Sequence, residues 1–128
     1  MIGRAPLFSS LSSHWATPKA VYEALNEEFC FTLDPCPLDG DGMAFLKPWT
    51  GERVYCNPPY GNGASQWLAR AREAELAVFL LPARTDTRWF HDYCLQADEI
   101  RFIKGRLKFG GAVFNAPFPS MVVIFRNC

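Results

Sequence analysis

The stretch LAVFLLPA, from Leu76 to Ala83, is apolar at every position and decides the fold of this chain. A strand with one face in water alternates apolar and polar residues, whereas a strand covered on both faces is apolar throughout. The run therefore predicts the central strand of a sheet that has helices on both faces.

Strands and helices alternate along the chain around this run. Further strands are predicted at RVYCN (53–57), EIRFIKG (99–105) and SMVVIFR (120–126). Helices are predicted at ASQWLARAREAE (64–75) and, with Asp86 as its cap, at DTRWFHDYCLQA (86–97). This order favours an α/β domain with a mainly parallel sheet, in which RLKFGG (106–111) and MVVIFR (121–126) pair as an antiparallel edge.

The N-terminal part adds one helix and one strand. TPKAVYEALNEEF predicts a helix from about Pro18 to Glu28, with Thr17 as its N-cap. FCFTLDP is a short apolar run that predicts a buried strand ending at Asp34 and Pro35. Residues 1–13 are expected to form a flexible arm, and residues 14–128 a single domain.

The composition narrows the class of protein. The chain has 128 residues, 49% of them hydrophobic, so it suits one globular domain. No apolar stretch approaches the roughly 18 residues of a membrane-spanning helix, and the N-terminus lacks the apolar core of a signal peptide. We therefore expect a cytoplasmic protein without membrane contact. The five cysteines form no CxxC pair, so we expect reduced thiols and no metal site.

Basic residues cluster at two places although the formal net charge is zero. Without a net positive field, any contact with nucleic acid depends on such local clusters. PARTDTR carries Arg84 and Arg88, and RFIKGRLKFG carries Arg106 and Lys108 together with Arg101 and Lys104. We take Arg84, Arg88, Arg106 and Lys108 as candidate DNA-binding residues. A solvated surface is the alternative for both clusters, and the sequence leaves it open.

The segment Asn57-Pro58-Pro59-Tyr60 follows the predicted strand RVYC. These residues suit methylation of a flat amine, whose nitrogen must become pyramidal to attack a methyl group. The side-chain oxygen of Asn57 and the carbonyl of Pro58 can accept its two N–H groups, and Tyr60 offers a stacking face. The same residues are also typical of an ordinary turn, and this alternative stays open.

Four blocks of the sequence resemble the phage-type DNA adenine-N6 methyltransferases, a family often called Dam-like. They are HWATPKAVYEALNEEFCFTLDPCP, VYCNPPYGNGASQWLARA, FLLPARTDTRWFHDYC and IRFIKGRLKFGGA, in this order. The resemblance implies that Asn57, Pro58, Pro59 and Tyr60 are the catalytic tetrad and that double-stranded DNA is the partner. It also implies an S-adenosylmethionine pocket formed by Trp15, Thr17, Pro18, Asp34, Pro35 and Asn57.

The resemblance implies a shortened Rossmann-like, S-adenosylmethionine-dependent methyltransferase fold. About two dozen residues separate Asp34 from Asn57, too few for the two βαβ crossovers of a full sheet, each of which takes at least roughly ten to twelve residues. Three alternatives stay open: an enzyme acting on adenine in RNA, one acting on a glutamine amide in protein, and a catalytically weak binding module. A homodimer is also left open.

Overall fold

A computed structural model describes residues 16–35, 47–59, 64–109 and 115–127. Within these residues there are three α-helices, namely α1 (Lys19–Phe29), α2 (Ala64–Leu68) and α3 (Arg88–Asp92). There are four strands, namely β1 (Arg53–Cys56), β2 (Leu76–Pro82), β3 (Glu99–Phe102) and β4 (Ser120–Arg126). Short 3₁₀ turns at Ala71–Glu73 and Cys94–Gln96 follow the two shorter helices. No helix in this part of the chain is long and apolar enough to cross a membrane.

The four strands form one mixed sheet in the order β1-β2-β4-β3. β1 is parallel to β2, and β4 is antiparallel to both of its neighbours. The α/β class is thus confirmed, but the prediction of a mainly parallel sheet is wrong. An antiparallel strand needs no crossover helix, so β4 returns between β2 and β3 after a loop. Residues 106–109 are not a strand. The outermost strand, antiparallel to β4, is β3 in place of the predicted RLKFGG.

Strand directions follow from this pairing. β1, β2 and β3 run in one direction and β4 in the other. The segments that follow β1, β2 and β3 therefore leave from the same edge of the sheet, which we call the carboxyl edge. The opposite edge, where β1 and β2 begin, is called the amino edge.

The central strand predicted from LAVFLLP is confirmed, since all seven residues of β2 are buried. Val78 and Leu80 pack with Phe29 of α1 on one face of the sheet. Phe79 packs on the other face with Leu68 of α2. Two separate apolar clusters, one on each face, form the core.

The helix predicted from Pro18 to Glu28 is confirmed as α1, but its start and the strand after it differ from the prediction. Pro18 is the N-cap, and no side chain caps the helix. Cys30 ends it in a left-handed conformation with φ 54°. This turn interrupts FCFTLDP, in which only Leu33 pairs, forming a single parallel bridge to Val54. The predicted strand is therefore wrong in extent, although the segment does lie beside β1.

The two later helices are shorter than predicted. α2 ends at Leu68, after which the backbone N–H of Arg70 donates to the carbonyl of Trp67 at 3.1 Å in a tighter turn. Further along, the carbonyls of Ala71 and Ala74 accept from the side-chain amide of Asn127 at 2.7 and 2.9 Å. α3 begins after Thr87, whose hydroxyl accepts a hydrogen bond from the backbone N–H of Phe90 at 3.3 Å. The prediction of Asp86 as the cap is therefore wrong by one residue.

Ion pairs concentrate at the amino edge. Arg53 pairs with Glu75 at 2.7 Å, joining the starts of β1 and β2. Arg126, at the end of β4, pairs with Glu99 at the start of β3 at 2.9 Å. Strand β3 also contacts α1, because Arg101 of β3 pairs with Glu28 of α1 as well as with Glu99.

Candidate active site at the carboxyl edge

Asn57 follows β1 directly and lies at the carboxyl edge. Side chains alternate along a strand, so Tyr55 and Asn57 face α1 while Val54 and Cys56 face the other core cluster. Asn57 is only 3% exposed. Pro58 is buried and Pro59 is half-buried. Because neither proline has a backbone N–H, the chain leaves the strand here without a buried donor that needs a partner.

A chain of hydrogen bonds fixes the amide of Asn57. Its Nδ2 donates to Oγ1 of Thr17 at 3.1 Å. The same Oγ1 lies 2.5 Å from the hydroxyl oxygen of Tyr55. The amide nitrogen is thus turned towards Thr17, which directs the carbonyl oxygen Oδ1 to the opposite side. Burial raises the pKa of Tyr55 well above its usual range, so this hydroxyl stays protonated.

Aromatic rings and one carboxylate surround this chain. The ring of Tyr55 packs edge-on against Tyr22, with centroids 5.1 Å apart, and lies 5.3 Å from Phe31. Burial raises the pKa of both tyrosines, and the charge of Asp34 raises both further. The bridge from Leu33 to Val54 brings this exposed carboxylate beside β1.

Exposed basic side chains share the carboxyl edge with Asn57. They follow β2, open α3 and follow β3, and they are Arg84, Arg88, Arg106 and Lys108. Within the described residues none of the four forms an ion pair. Arg84 lies over the ring of Phe118 at 5.7 Å, a contact that leaves its charge uncompensated.

The comparison with known families adds the deciding observation. A family model described as DNA N-6-adenine-methyltransferase (Dam) matches residues 6–128. The chain belongs to this family. The resemblance seen in the four sequence blocks is thereby confirmed. No curated protein and no solved structure matches the chain.

The residues predicted for cofactor binding in this Dam-family chain lie partly together. Thr17 contacts Asn57, and Asp34 follows Leu33, which forms a bridge to Val54 of β1. Pro18 is half-buried at the start of α1, and Pro35 is buried. Trp15 and Tyr60, like the whole predicted N-terminal arm (residues 1–13), lie outside the described residues.

Tyr55 is the site residue that the sequence prediction missed. The sequence indicates only that it lies within the predicted strand RVYCN. The signal was its spacing, because a residue two positions before Asn57 on a strand lies on the same face. The contact with Thr17 joins residues 38 positions apart, which no local pattern indicates.

A hollow of about 330 Å³ lies between α2 and α3 in the Dam-family fold. It is lined by Ser65, Arg88, Trp89, Asp92 and Tyr93. The described residues contain no group of three or more His, Cys, Asp or Glu side chains that could hold a metal ion.

Proposed function

We propose that the chain transfers a methyl group from S-adenosylmethionine to the exocyclic N6 amine of adenine in double-stranded DNA, at a specific target site. One observation carries the proposal. Asn57 is a buried amide at the carboxyl end of a strand, it is oriented by Thr17, and it is followed by two prolines in a chain of the DNA N-6-adenine-methyltransferase family.

The chemistry follows from the acceptors that this segment offers. The lone pair of the target amine is delocalised into the adenine ring and must become available for attack. Oδ1 of Asn57 and the carbonyl oxygen of Pro58 each accept one N–H of the amine, which stabilises the positive charge that develops on nitrogen. The proline rings hold the Pro58 carbonyl in place. Tyr60 supplies the face on which the base stacks.

The bound S-adenosylmethionine supplies the methyl group as an electrophile on sulfur. As the new N–C bond forms and the C–S bond breaks, nitrogen becomes cationic and then loses a proton to water. No strong base is therefore required next to the amine. This agrees with a site in which the side chain of Asn57 contacts the hydroxyl of Thr17.

The donor set near Asn57 suits the polar part of the cofactor. The exposed carboxylate of Asp34 is an acceptor for an ammonium group or for ribose hydroxyls, and Thr17 adds a hydroxyl. Trp15, Pro18 and Pro35 complete the proposed pocket. The contact between Thr17 and Asn57 couples this pocket to the catalytic amide. On this basis we interpret the mixed sheet as a shortened Rossmann-like methyltransferase fold.

The distribution of charge supports DNA as the substrate. At the amino edge Arg53 and Arg126 are neutralised by Glu75 and Glu99. At the carboxyl edge the four basic side chains form no ion pair within the described residues, and they share this edge with the segment after β1, which favours an approaching phosphate backbone. The proposed DNA contacts are Arg84, Arg88, Arg106 and Lys108.

The test is a methylation assay with three substrates, following transfer of a labelled methyl group and identifying the product by mass. We expect N6-methyladenine in duplex DNA and none in RNA or in a glutamine-containing protein. Methylation of RNA or of protein instead would replace the proposed substrate. Binding of S-adenosylmethionine should be titrated in parallel, since DNA binding with neither cofactor binding nor transfer would make the chain a binding module.

A further inference from the structure

We infer that Tyr55 is a positioning residue of the methyl-transfer site, which holds the amide of Asn57 in its productive orientation through Thr17. The inference rests on the proposed function, because it assigns a role in the same site. It concerns a residue that touches neither the target base nor the cofactor, and it explains why a tyrosine hydroxyl is buried at the end of β1.

The inference rests on two hydrogen bonds between buried or half-buried side chains. Tyr55 is 1% exposed, and its hydroxyl oxygen lies 2.5 Å from Oγ1 of Thr17. A buried hydroxyl needs a partner, and Thr17 provides it. Nδ2 of Asn57 reaches the same oxygen from its other side at 3.1 Å. Thr17 thus lies between Tyr55 of β1 and Asn57, which follows β1.

The positions of the hydroxyl hydrogens determine the orientation of the amide. Thr17 has one hydroxyl hydrogen and two lone pairs. Either hydroxyl can be the donor in the hydrogen bond between Thr17 and Tyr55, and we take Thr17 as the donor. Thr17 then meets Asn57 only as an acceptor. The amide must then present Nδ2 to Thr17, which leaves Oδ1 as the group that faces a target amine.

Loss of the Tyr55 hydroxyl removes this constraint. The hydrogen of Thr17 can then turn to Asn57, and the amide can rotate to accept it through Oδ1. In that orientation the NH₂ group of Asn57 would face the NH₂ group of the target, so a donor would meet a donor. The site would keep all of its catalytic atoms, but the Asn57 amide would be reversed, so that Oδ1 would no longer face the target amine.

The substitution Tyr55→Phe isolates the hydroxyl, since phenylalanine keeps the ring contacts with Tyr22 and Phe31. Tyr22→Phe is the matched control, because it removes a hydroxyl from the neighbouring ring and leaves the chain from Tyr55 to Asn57 intact. Three quantities should be measured on folded protein: the single-turnover rate of methyl transfer, the affinity for S-adenosylmethionine, and the hydrogen exchange of the Asn57 side-chain amide by NMR.

We expect Tyr55→Phe to lower the single-turnover rate by about tenfold and to speed exchange of the Asn57 amide by a similar factor, as for the loss of one hydrogen bond. Affinity for S-adenosylmethionine should change less than twofold. In an Asn57→Ala background, Tyr55→Phe should cause no further loss of rate, because residues that act as a unit are not additive. Tyr22→Phe should leave the rate and the Asn57 amide exchange unchanged.

Unchanged exchange of the Asn57 amide in folded Tyr55→Phe would overturn the inference, and so would an equal loss in Tyr22→Phe. The exchange measurement does not depend on activity. If the wild-type chain transfers no methyl group but Tyr55→Phe still releases the Asn57 amide, the positioning contact is supported and the proposed function is contradicted.

Discussion

Thr17 lies where the two halves of the proposed site meet. The sequence predicted it as a helix cap that also lines the cofactor pocket. In the structure it does not cap α1, and its hydroxyl contacts Asn57 and Tyr55 instead. Its role as a link between segments depends on tertiary contacts, so sequence patterns around it could indicate the helix start but not the hydrogen-bond partner.

Asp34 offers a separate test of the cofactor pocket at the residue scale. Asp34→Ala should weaken S-adenosylmethionine binding by about 2 kcal/mol, because a charged hydrogen bond would be lost. Asp86→Ala, which removes an exposed carboxylate from the segment after β2, serves as the control and should bind normally. Calorimetric titration measures both. Wild-type affinity in folded Asp34→Ala would remove Asp34 from the pocket.

At the scale of elements, the shared direction of β1, β2 and β3 is what collects the functional segments. Each of these strands ends at the carboxyl edge, so Asn57 and the basic residues after β2 and β3 meet there. The insertion of β4 between β2 and β3 changes the sheet type but not this direction. The meeting of these strand-end segments therefore does not require a mainly parallel sheet.

The basic segment after β3 yields a prediction about DNA binding. Lys108→Glu should weaken binding to duplex DNA and reduce the slope of log affinity against log salt by about one unit, as for one lost phosphate contact. Lys47→Glu makes the same change of charge near Trp49, ahead of β1, and should have little effect. Equal effects of both variants would show that only net charge matters and that the segment after β3 is a solvated surface.

Long apolar runs predicted the central strands well, whereas turns and contacts with other segments shortened other predicted elements. LAVFLLP and SMVVIFR are β2 and β4 because buried strands carry a long apolar signal. FCFTLDP has a similar apolar content, yet the left-handed Cys30 reduces it to a single bridge. α2 ends early, where the backbone N–H of Arg70 bonds to the carbonyl of Trp67 in a tighter turn that ASQWLARAREAE does not indicate.

At the scale of the whole molecule, the described residues place ion pairs at the amino edge of the sheet and exposed basic side chains at the carboxyl edge. At the amino edge, arginine side chains donate hydrogen bonds to carboxylates. Those of Arg101 and Arg126 lower the pKa of Glu99. The pKa of Asp98 is lowered as well, first by a hydrogen bond from the backbone N–H of Arg126 and then by one from the side chain of Arg72. Within the described residues these contacts stabilise the amino edge, whereas Arg84, Arg88, Arg106 and Lys108 at the carboxyl edge form no ion pair.

This arrangement predicts how stability changes with acidity. The pKa of Glu99 is depressed in the folded chain, so its contribution is present above the ordinary value of 4.5 and is lost as the pH falls through the folded value. We expect the free energy of unfolding to decrease on acidification below about pH 4.5. Urea denaturation at a series of pH values measures it.

Two variants locate the source of this acid sensitivity. Glu99→Gln should be less stable at neutral pH and should lose less stability on acidification than the wild type. Glu27→Gln, on the exposed side of α1 and in no ion pair within the described residues, should keep the wild-type profile. Identical pH profiles for wild type and Glu99→Gln would contradict a stabilising role for the amino-edge ion pairs.

The central claim is that Asn57 acts on the target amine, and the single-turnover rate of methyl transfer to duplex DNA tests it most directly. The rate should be normalised to folded protein and measured for wild type, Asn57→Ala and Asn57→Asp. We expect Asn57→Ala to lose about 10²-fold or more, as when one preorganised hydrogen-bond partner is removed, with cofactor affinity almost unchanged. Asn57→Asp keeps an acceptor oxygen and should retain more activity than the alanine variant. Full activity in Asn57→Ala would contradict the account and would leave Asn57-Pro58-Pro59-Tyr60 as an ordinary turn at the end of β1.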